Sequence, residues 1–412
     1  MLLNVHISNF MGIEKSVNIT SIANNKIKRK NKDIIKIEDN INALKTIGII
    51  GSNGSGKTSI LNAIATVQTF ITFPFRKSTN NNEAFIEQIK KLPDEILNDL
   101  LKSFNTLELP LQNVNSSKND TIIKLDFFIP KEHNIIDGYY TYKLVYDKDY
   151  KFNGVKEESL FYRKKYNSKK IIEIFKVNNI LESELGTKLL YQNNTINNDN
   201  NNMLKYYHSF GNLIMNKCEF IFQSDSINLI SQLKKDKSRF VSLCNLADEK
   251  IINADIEKKD NKEILYFINN KNNKLYFEQL SSGTKKVLVL GNKILESLEN
   301  NKLLFVDEIE TSLHSSLAKF LVMLMQYPIK NSYSQLFFTT HSVFLPSILD
   351  NDQLYYINNK DNNYEVLNIS HAIRNGIITK DKTLTVALVE NFLINNPDIN
   401  KIDKFINKNS SI

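Results

Sequence analysis

Gly51-Ser52-Asn53-Gly54-Ser55-Gly56-Lys57-Thr58 constrains this chain more than any other stretch. The run Thr46-Ile47-Gly48-Ile49-Ile50 leads into it, and Ser59-Ile60-Leu61-Asn62-Ala63-Ile64 leaves it. A short strand, a glycine-rich turn and a helix are therefore predicted in succession. Four of the 12 glycines fall between positions 48 and 56, so the turn is a deliberate backbone feature. Glycine lets the loop curl until successive N–H groups point inward at phosphate oxygens, and the helix N-terminus adds its dipole. In such a loop Gly51 through Ser59 surround a nucleotide. Lys57 reaches its β- and γ-phosphates, and the Thr58 hydroxyl ligates Mg²⁺.

The rest of the composition sets limits rather than choices. At 412 residues with 42% hydrophobic content, the chain suits a large α/β domain carrying an insertion. No run approaches about 18 uninterrupted apolar residues, so no membrane-spanning helix is expected. Met1-Leu2-Leu3-Asn4-Val5-His6-Ile7 alternates like a first strand and is not expected to be a signal peptide. Cys218 and Cys244 have no metal-like spacing and read as buried thiols in a reducing compartment, hence a cytoplasmic location. The net charge of +8 is compatible with nucleic-acid contact but does not require it, because lysine is scattered among asparagine and isoleucine.

Taken in order, Leu2–Ile7 and Val17–Ile19 predict strands around the turn Asn9-Phe10-Met11-Gly12. Lys26–Lys32 is a basic loop, and Ser59–Phe73 predicts the helix after the phosphate loop, ended by Pro74. Lys77–Glu83 reads as a loop, and Ala84–Phe104 has helical apolar spacing. From Thr121 the period changes to two. Thr121–Ile129, Tyr139–Tyr146, Ser159–Arg163 and Ile171–Val177 predict an antiparallel meander whose aromatics belong to a core. Tyr191–Asn202 is an asparagine-rich loop. Helices are predicted over Met203–Lys217, Ser226–Lys235 and Arg239–Leu246, then strands over Ile251–Glu257 and Ile264–Ile268.

A second constellation follows. Leu280-Ser281-Ser282-Gly283-Thr284 precedes a helical pattern over Lys285–Glu299, so the serines and free N–H groups sit at a helix N-terminus, an anion site. About twenty residues on, Leu303-Leu304-Phe305-Val306 reads as a buried parallel strand ending in Asp307 and Glu308. Asp307 stands where a carboxylate is needed to support Mg²⁺, and Glu308 where a base can polarise attacking water. Ile309–His314 turns into a helix over Ser315–Gln326. The strand Gln335–Thr340 then delivers His341 to the crevice end of the sheet, where an imidazole can donate to a γ-phosphate.

This order resembles the ABC-type ATPase heads. Within them it is similar to the compact bacterial AAA ATPases related to OLD and abortive-infection proteins, a group that shares a branch with the SMC and RecF heads. The resemblance rests on Asn9-Phe10, Gly51–Thr58, Arg239–Glu257, Leu280–Lys286, Phe305–His314 and Phe338–Ser342, and spans about residues 1–370. It implies an α/β fold: a P-loop NTPase head of ABC type with a mixed sheet, an antiparallel β subdomain and a mainly helical insertion. Residues 1–74 would open the head, 75–275 form the insertion, 276–370 complete the head and 371–412 form a small appendage. The cofactors implied are ATP and Mg²⁺. Two heads would sandwich ATP, with Ser281, Ser282 and Gly283 of one facing the phosphate loop of the other. The catalytic set would be Lys57, Glu308 and His341, with Thr58 and Asp307 on the metal.

Departures from the pattern matter as well. Ser282 stands where transporters have glycine, and Thr284 where they have glutamine, as in the soluble branch. Gln112 is the nearest candidate for a Q-loop glutamine. About 70 residues follow His341, too few for the TOPRIM nuclease of OLD proteins, so a nuclease or toxin effector is expected to act in trans. The favoured expectation is a homodimeric or higher-order ATPase, a sensor and regulator in anti-phage defence, with no membrane partner. The alternative is a RecF/SMC-like repair ATPase that clamps DNA. A transporter subunit fits the β-rich insertion poorly.

Overall fold

The computed structural model describes residues 1–13, 16–27, 29, 33–51, 54–72, 120–131, 137–146, 155–178, 218–221, 229–259, 262–327, 332–360 and 363–377. The loop Lys77–Glu83, the helix expected over Ala84–Phe104, Gln112, the segments Tyr191–Asn202 and Met203–Lys217, and residues 378–412 of the expected appendage lie outside the described residues.

The first half runs β1 (Leu2–Ser8), β2 (Val17–Thr20), β3 (Ile34–Glu38), β4 (Ile41–Leu44), β5 (Thr46–Gly51), α1 (Lys57–Thr72), β6 (Thr121–Ile129), β7 (Gly138–Tyr146), β8 (Val155–Arg163) and β9 (Ile172–Asn178). The second runs β10 (Cys218–Ile221), α2 (Leu229–Lys235), α3 (Lys237–Ala247), β11 (Ile251–Lys259), β12 (Lys262–Asn269) and β13 (Lys274–Tyr276). It continues through α4 (Ser282–Asn300), β14 (Leu303–Val306), α5 (Ser315–Gln326), β15 (Gln335–Thr340), β16 (Leu354–Lys360), β17 (Asn363–Asn368) and α6 (Ile369–Arg374).

Two six-stranded sheets organise these elements. One is antiparallel, in the order β2-β1-β6-β7-β8-β9, so the aromatic meander extends the N-terminal hairpin. Along β6 the burial alternates, with Ile123, Leu125, Phe127 and Ile129 inward, as a sheet with one packed face requires. The other has the order β10-β14-β15-β5-β16-β17 and is parallel except for its last pair. All six residues of β5 are buried, which explains why its sequence does not alternate: after Thr46 no polar side chain follows.

That burial comes from layering. Ile47 and Ile49 join Ile60, Leu61, Ile64 and Val67 of α1 and the inward residues of the antiparallel sheet in one core. Ile50, Leu304, Val306 and Phe338 join Leu290 and Ile294 of α4 and Leu321, Val322 and Met325 of α5 in a second core on the other face. Each fully buried side chain of this kind contributes roughly 1.5–3 kcal/mol. A third cluster packs α2, α3, β11 and β12 onto Val287 and Leu288 of α4. The parallel sheet is thus clamped between α1 and the helices α4 and α5. Its strand ends at Gly51, Val306 and Thr340 open at one edge, because β5, β15 and β14 pair in parallel register.

Candidate nucleotide site

The loop between β5 and α1 is shaped by its glycines. Gly54 and Gly56 take φ of +73° and +91°, the left-handed region that a side chain rarely enters. A Cβ on Gly51 would stand 2.5 Å from both the Ile357 carbonyl and the Ser55 hydroxyl, so β16 and the loop close on that position from two sides. The first turn of α1 holds no acidic residue, which leaves its N-terminal dipole uncompensated. The Ser55 hydroxyl is buried and has no hydrogen-bond partner among the described residues. Ser52 and Asn53 lie outside the described residues.

Lys57 opens α1 and is buried, with its ammonium donating to the Gly51 carbonyl at 3.0 Å. Burial pulls its pKa down to about 8, against the opposing pull of Asp307, Glu308 and Glu310. Next to it, Thr58 donates to Asp307 at 2.9 Å (Oδ2), the first bond between the loop and the end of β14. Thr339, on β15, donates its hydroxyl to Asp307 Oδ1 at 2.5 Å and accepts the Glu308 N–H at 2.8 Å. One threonine thus fixes both carboxylate residues. The Asp307 N–H donates to the Ile221 carbonyl of β10 at 3.0 Å.

His341 closes the set. Its Nδ1 stands 3.4 Å from the Lys57 ammonium and its Nε2 3.5 Å from Glu308 Oε1. With Lys57 as donor, the ring proton belongs on Nε2, facing the carboxylate. The His341 N–H donates to Glu310 Oε1 at 2.5 Å. Glu308 lies in the left-handed region (φ +46°), and the Thr311 hydroxyl donates to its Oε2 at 3.1 Å. Lys57, Thr58, Asp307, Glu308 and His341 therefore converge across three strand ends.

Ser281 caps α4, its hydroxyl accepting the Thr284 N–H at 3.0 Å, and Ser282 and Gly283 lie in the first turn. Ser281 and Ser282 are exposed. A Cβ on Gly283 would stand 2.9 Å from the Ser312 carbonyl, so the turn after β14 packs against this helix start. His314 is the N-cap of α5, its Nδ1 accepting the Ser316 N–H at 3.4 Å, and serves the helix locally.

Four participants escaped the sequence reading. Thr339 and Glu310 sit within two residues of recognised positions, and their neighbours on the chain were the available signal. Lys286 donates its ammonium to the Glu308 carbonyl at 2.9 Å from across the sheet edge, and burial lowers its pKa while Glu310, Glu308 and Asp307 oppose that. The strand β10 carries too few residues to show a period.

The residues fit a nucleotide with a divalent cation. The left-handed glycines and the Ser55 hydroxyl, partnerless among the described residues, form an anion cradle, and the Thr58 hydroxyl beside the Asp307 carboxylate is a hard oxygen donor set. A glycine-rich loop between a parallel strand and a helix, facing an Asp-Glu strand end, defines a P-loop NTPase fold. Its particular family is the AAA domain family described as putative AbiEii toxin, type IV TA system: that family's model matches residues 47–347, and the chain belongs to it. Among solved structures, the SMC head domain from Thermotoga maritima is similar at 12% identity, with 89% of this chain and 98% of that chain covered and a TM-score of 0.40. The Smc head domain with an extended coiled coil bound to the C-terminal domain of ScpA, derived from Pyrococcus furiosus, is similar at 11% identity, with coverages of 91% and 98% and a TM-score of 0.44. No curated protein matches the chain. Among the described residues no helix is long and apolar enough to cross a membrane.

Proposed function

We propose that this AAA ATPase hydrolyses ATP with Mg²⁺ as an ATP-linked homodimer, and that it acts in the cytoplasm as the sensor and regulator of an abortive-infection type defence system with a separate effector. The observation that carries the catalytic half is the run of hydrogen bonds from Thr58 through Asp307 and Thr339 to the Glu308 backbone, which sets a phosphate loop and a candidate base in one frame. The loop residues Gly51 through Ser59 hold the phosphates, and Thr58 and Asp307 hold the cation. Bound there, Mg²⁺ supplies charge neutralisation for the transferring phosphoryl group.

The remaining roles follow from geometry. Lys57 exchanges the Gly51 carbonyl and His341 for phosphate oxygens, a trade of a neutral acceptor for anionic ones. Glu308, its carboxylate held between His341 Nε2 and the Thr311 hydroxyl, accepts the proton of the attacking water. His341, released by Lys57, offers its Nε2–H to the γ-phosphate. Ser281 and Ser282 are exposed and Gly283 is half-buried at a helix N-terminus, open as a surface that completes a partner's nucleotide site must be. The defence role rests on the family, whose description names a type IV toxin–antitoxin system. The net charge of +8 is also compatible with a second reading, a DNA-clamping repair ATPase, which salt-dependent DNA binding and DNA-stimulated turnover would support.

The test is Glu308→Gln. Light scattering is expected to show an ATP-bound dimer that persists, because the water is no longer activated. A variant and a wild type that both stay monomeric with Mg²⁺-ATP would remove the sandwich.

A further inference from the structure

We propose that Lys286 is the positioning residue that transmits the seating of a partner's nucleotide on Ser281–Gly283 to Glu308 of its own protomer. The inference rests on the sandwich reading above and assigns its regulation. Lys286 lies five positions after the capping Ser281, so both belong to the first turns of α4 and move with that helix. The Lys286 ammonium crosses to the Glu308 carbonyl at 2.9 Å, where the Thr311 N–H also donates at 3.0 Å.

The turn it grips is one that needs holding. Glu308 and Ser312 both take positive φ, +46° and +63°, without being glycine, and the Leu313 N–H closes the turn on the Glu310 carbonyl at 2.8 Å. The same helix start touches the far end of this turn, since a Cβ on Gly283 would meet the Ser312 carbonyl at 2.9 Å. The start of α4 therefore contacts the turn at Glu308 through a side chain and at Ser312 through its backbone. A displacement of about 1 Å at the signature serines takes a 2.9 Å hydrogen bond out of its favourable range. Lys286 further places a positive charge among Asp307, Glu308 and Glu310, where a lysine serving only packing would direct its head to water.

Such a role separates turnover from binding. In the full-length chain, Lys286→Met is expected to lower kcat by about 30- to 100-fold, the scale of a misplaced reacting group, with Kd for Mg²⁺-ATP within about twofold of wild type. Combined with Glu308→Gln, it is expected to leave the ATP-linked dimer intact in light scattering. Lys286→Gln, polar and shorter, is carried in parallel against misfolding of the methionine variant and is expected to give the same split. Turnover retained in both variants overturns the inference, as does an equal loss of ATP binding and turnover, which marks a structural residue. Wild-type turnover per chain that does not rise with chain concentration, together with no ATP-linked dimer, removes the sandwich reading and this inference with it. Concentration-dependent wild-type turnover with unimpaired Lys286→Met removes this inference alone.

Discussion

The two ends of β5 hold charge in opposite ways. At the Thr46 end, Arg29 grips Asp352 through two hydrogen bonds, 3.1 Å and 2.6 Å, with Asp350 at 3.5 Å. Gln353 binds the Thr46 hydroxyl at 2.6 Å and also donates to Asp33. The ionic side chains here are nearly closed to water, 13% exposed for Arg29 and 5% for Asp350. At the Gly51 end Glu308 and His341 are 34% and 30% exposed and stand 3.5 Å apart, and Lys57 donates to a neutral carbonyl at 3.0 Å. Both clusters mix acids and bases at strand termini. One is closed and paired and so ties the chain together; the other keeps loose, exchangeable contacts that a phosphate can replace.

If that contrast is right, substitutions at the two ends separate activity from stability. The largest effect belongs to Lys57→Met, expected to reduce ATP hydrolysis by on the order of 10²–10³-fold in a phosphate-release assay, with the urea midpoint almost unmoved. Asp352→Ala should do the reverse. It strands the Arg29 guanidinium, costing about 3 kcal/mol in urea denaturation, and leaves Kd for ATP unchanged.

Asp33 tests the closed end by pH. Burial pushes its carboxyl up to about 6, with Arg29 pulling down and Asp350 pushing up. A raised carboxylate pKa means that the folded state prefers the neutral form. Its contribution is full below the ordinary value of 3.8 and is lost as pH rises through about 6. Asp33→Asn keeps the neutral form, so at pH 8 it is expected to gain about 1–2 kcal/mol over wild type in urea titrations, after allowing for lost attraction to Arg29. The gain should shrink at pH 5. The smallest effect is expected for Glu299→Ala, whose partners Lys235 and Arg239 lie at the surface, at no more than about 1 kcal/mol and with turnover intact.

The open end was the readable one. Its loop announces itself through glycines, β14 through four apolar residues ending in Asp307 and Glu308, and α4 through the spacing of Val287, Leu290, Ile294 and Leu298. These are local patterns, each contained in one element. The closed end depends on Arg29 meeting residues more than 300 positions away, and nothing near Arg29 encodes that. The strand β10 was missed for a related reason: Cys218–Ile221 spans only two periods, and its partner β14 arrives some 85 residues later. The meander was legible as strands, but its attachment through β6 to β1 was not, because a strand's pattern shows which face is buried and leaves its neighbour unspecified. Lys286 reads as one more polar position on an amphipathic helix; only the fold turns it toward Glu308.

The closing of Gly51 against Ile357 has a consequence for synthesis. The strand that launches the phosphate loop pairs with β15 on one side and β16 on the other, and both are translated more than 280 residues after it. While the chain emerges from the ribosome, β5 has neither neighbour, and the carbonyl that bounds the loop at Gly51 does not yet exist. Nucleotide competence is therefore acquired late and at once, when residues 335–357 dock. Nascent fragments that stop short of β15 are expected to be blind to ATP, which under the proposed sandwich would keep an incomplete chain from pairing with a finished one.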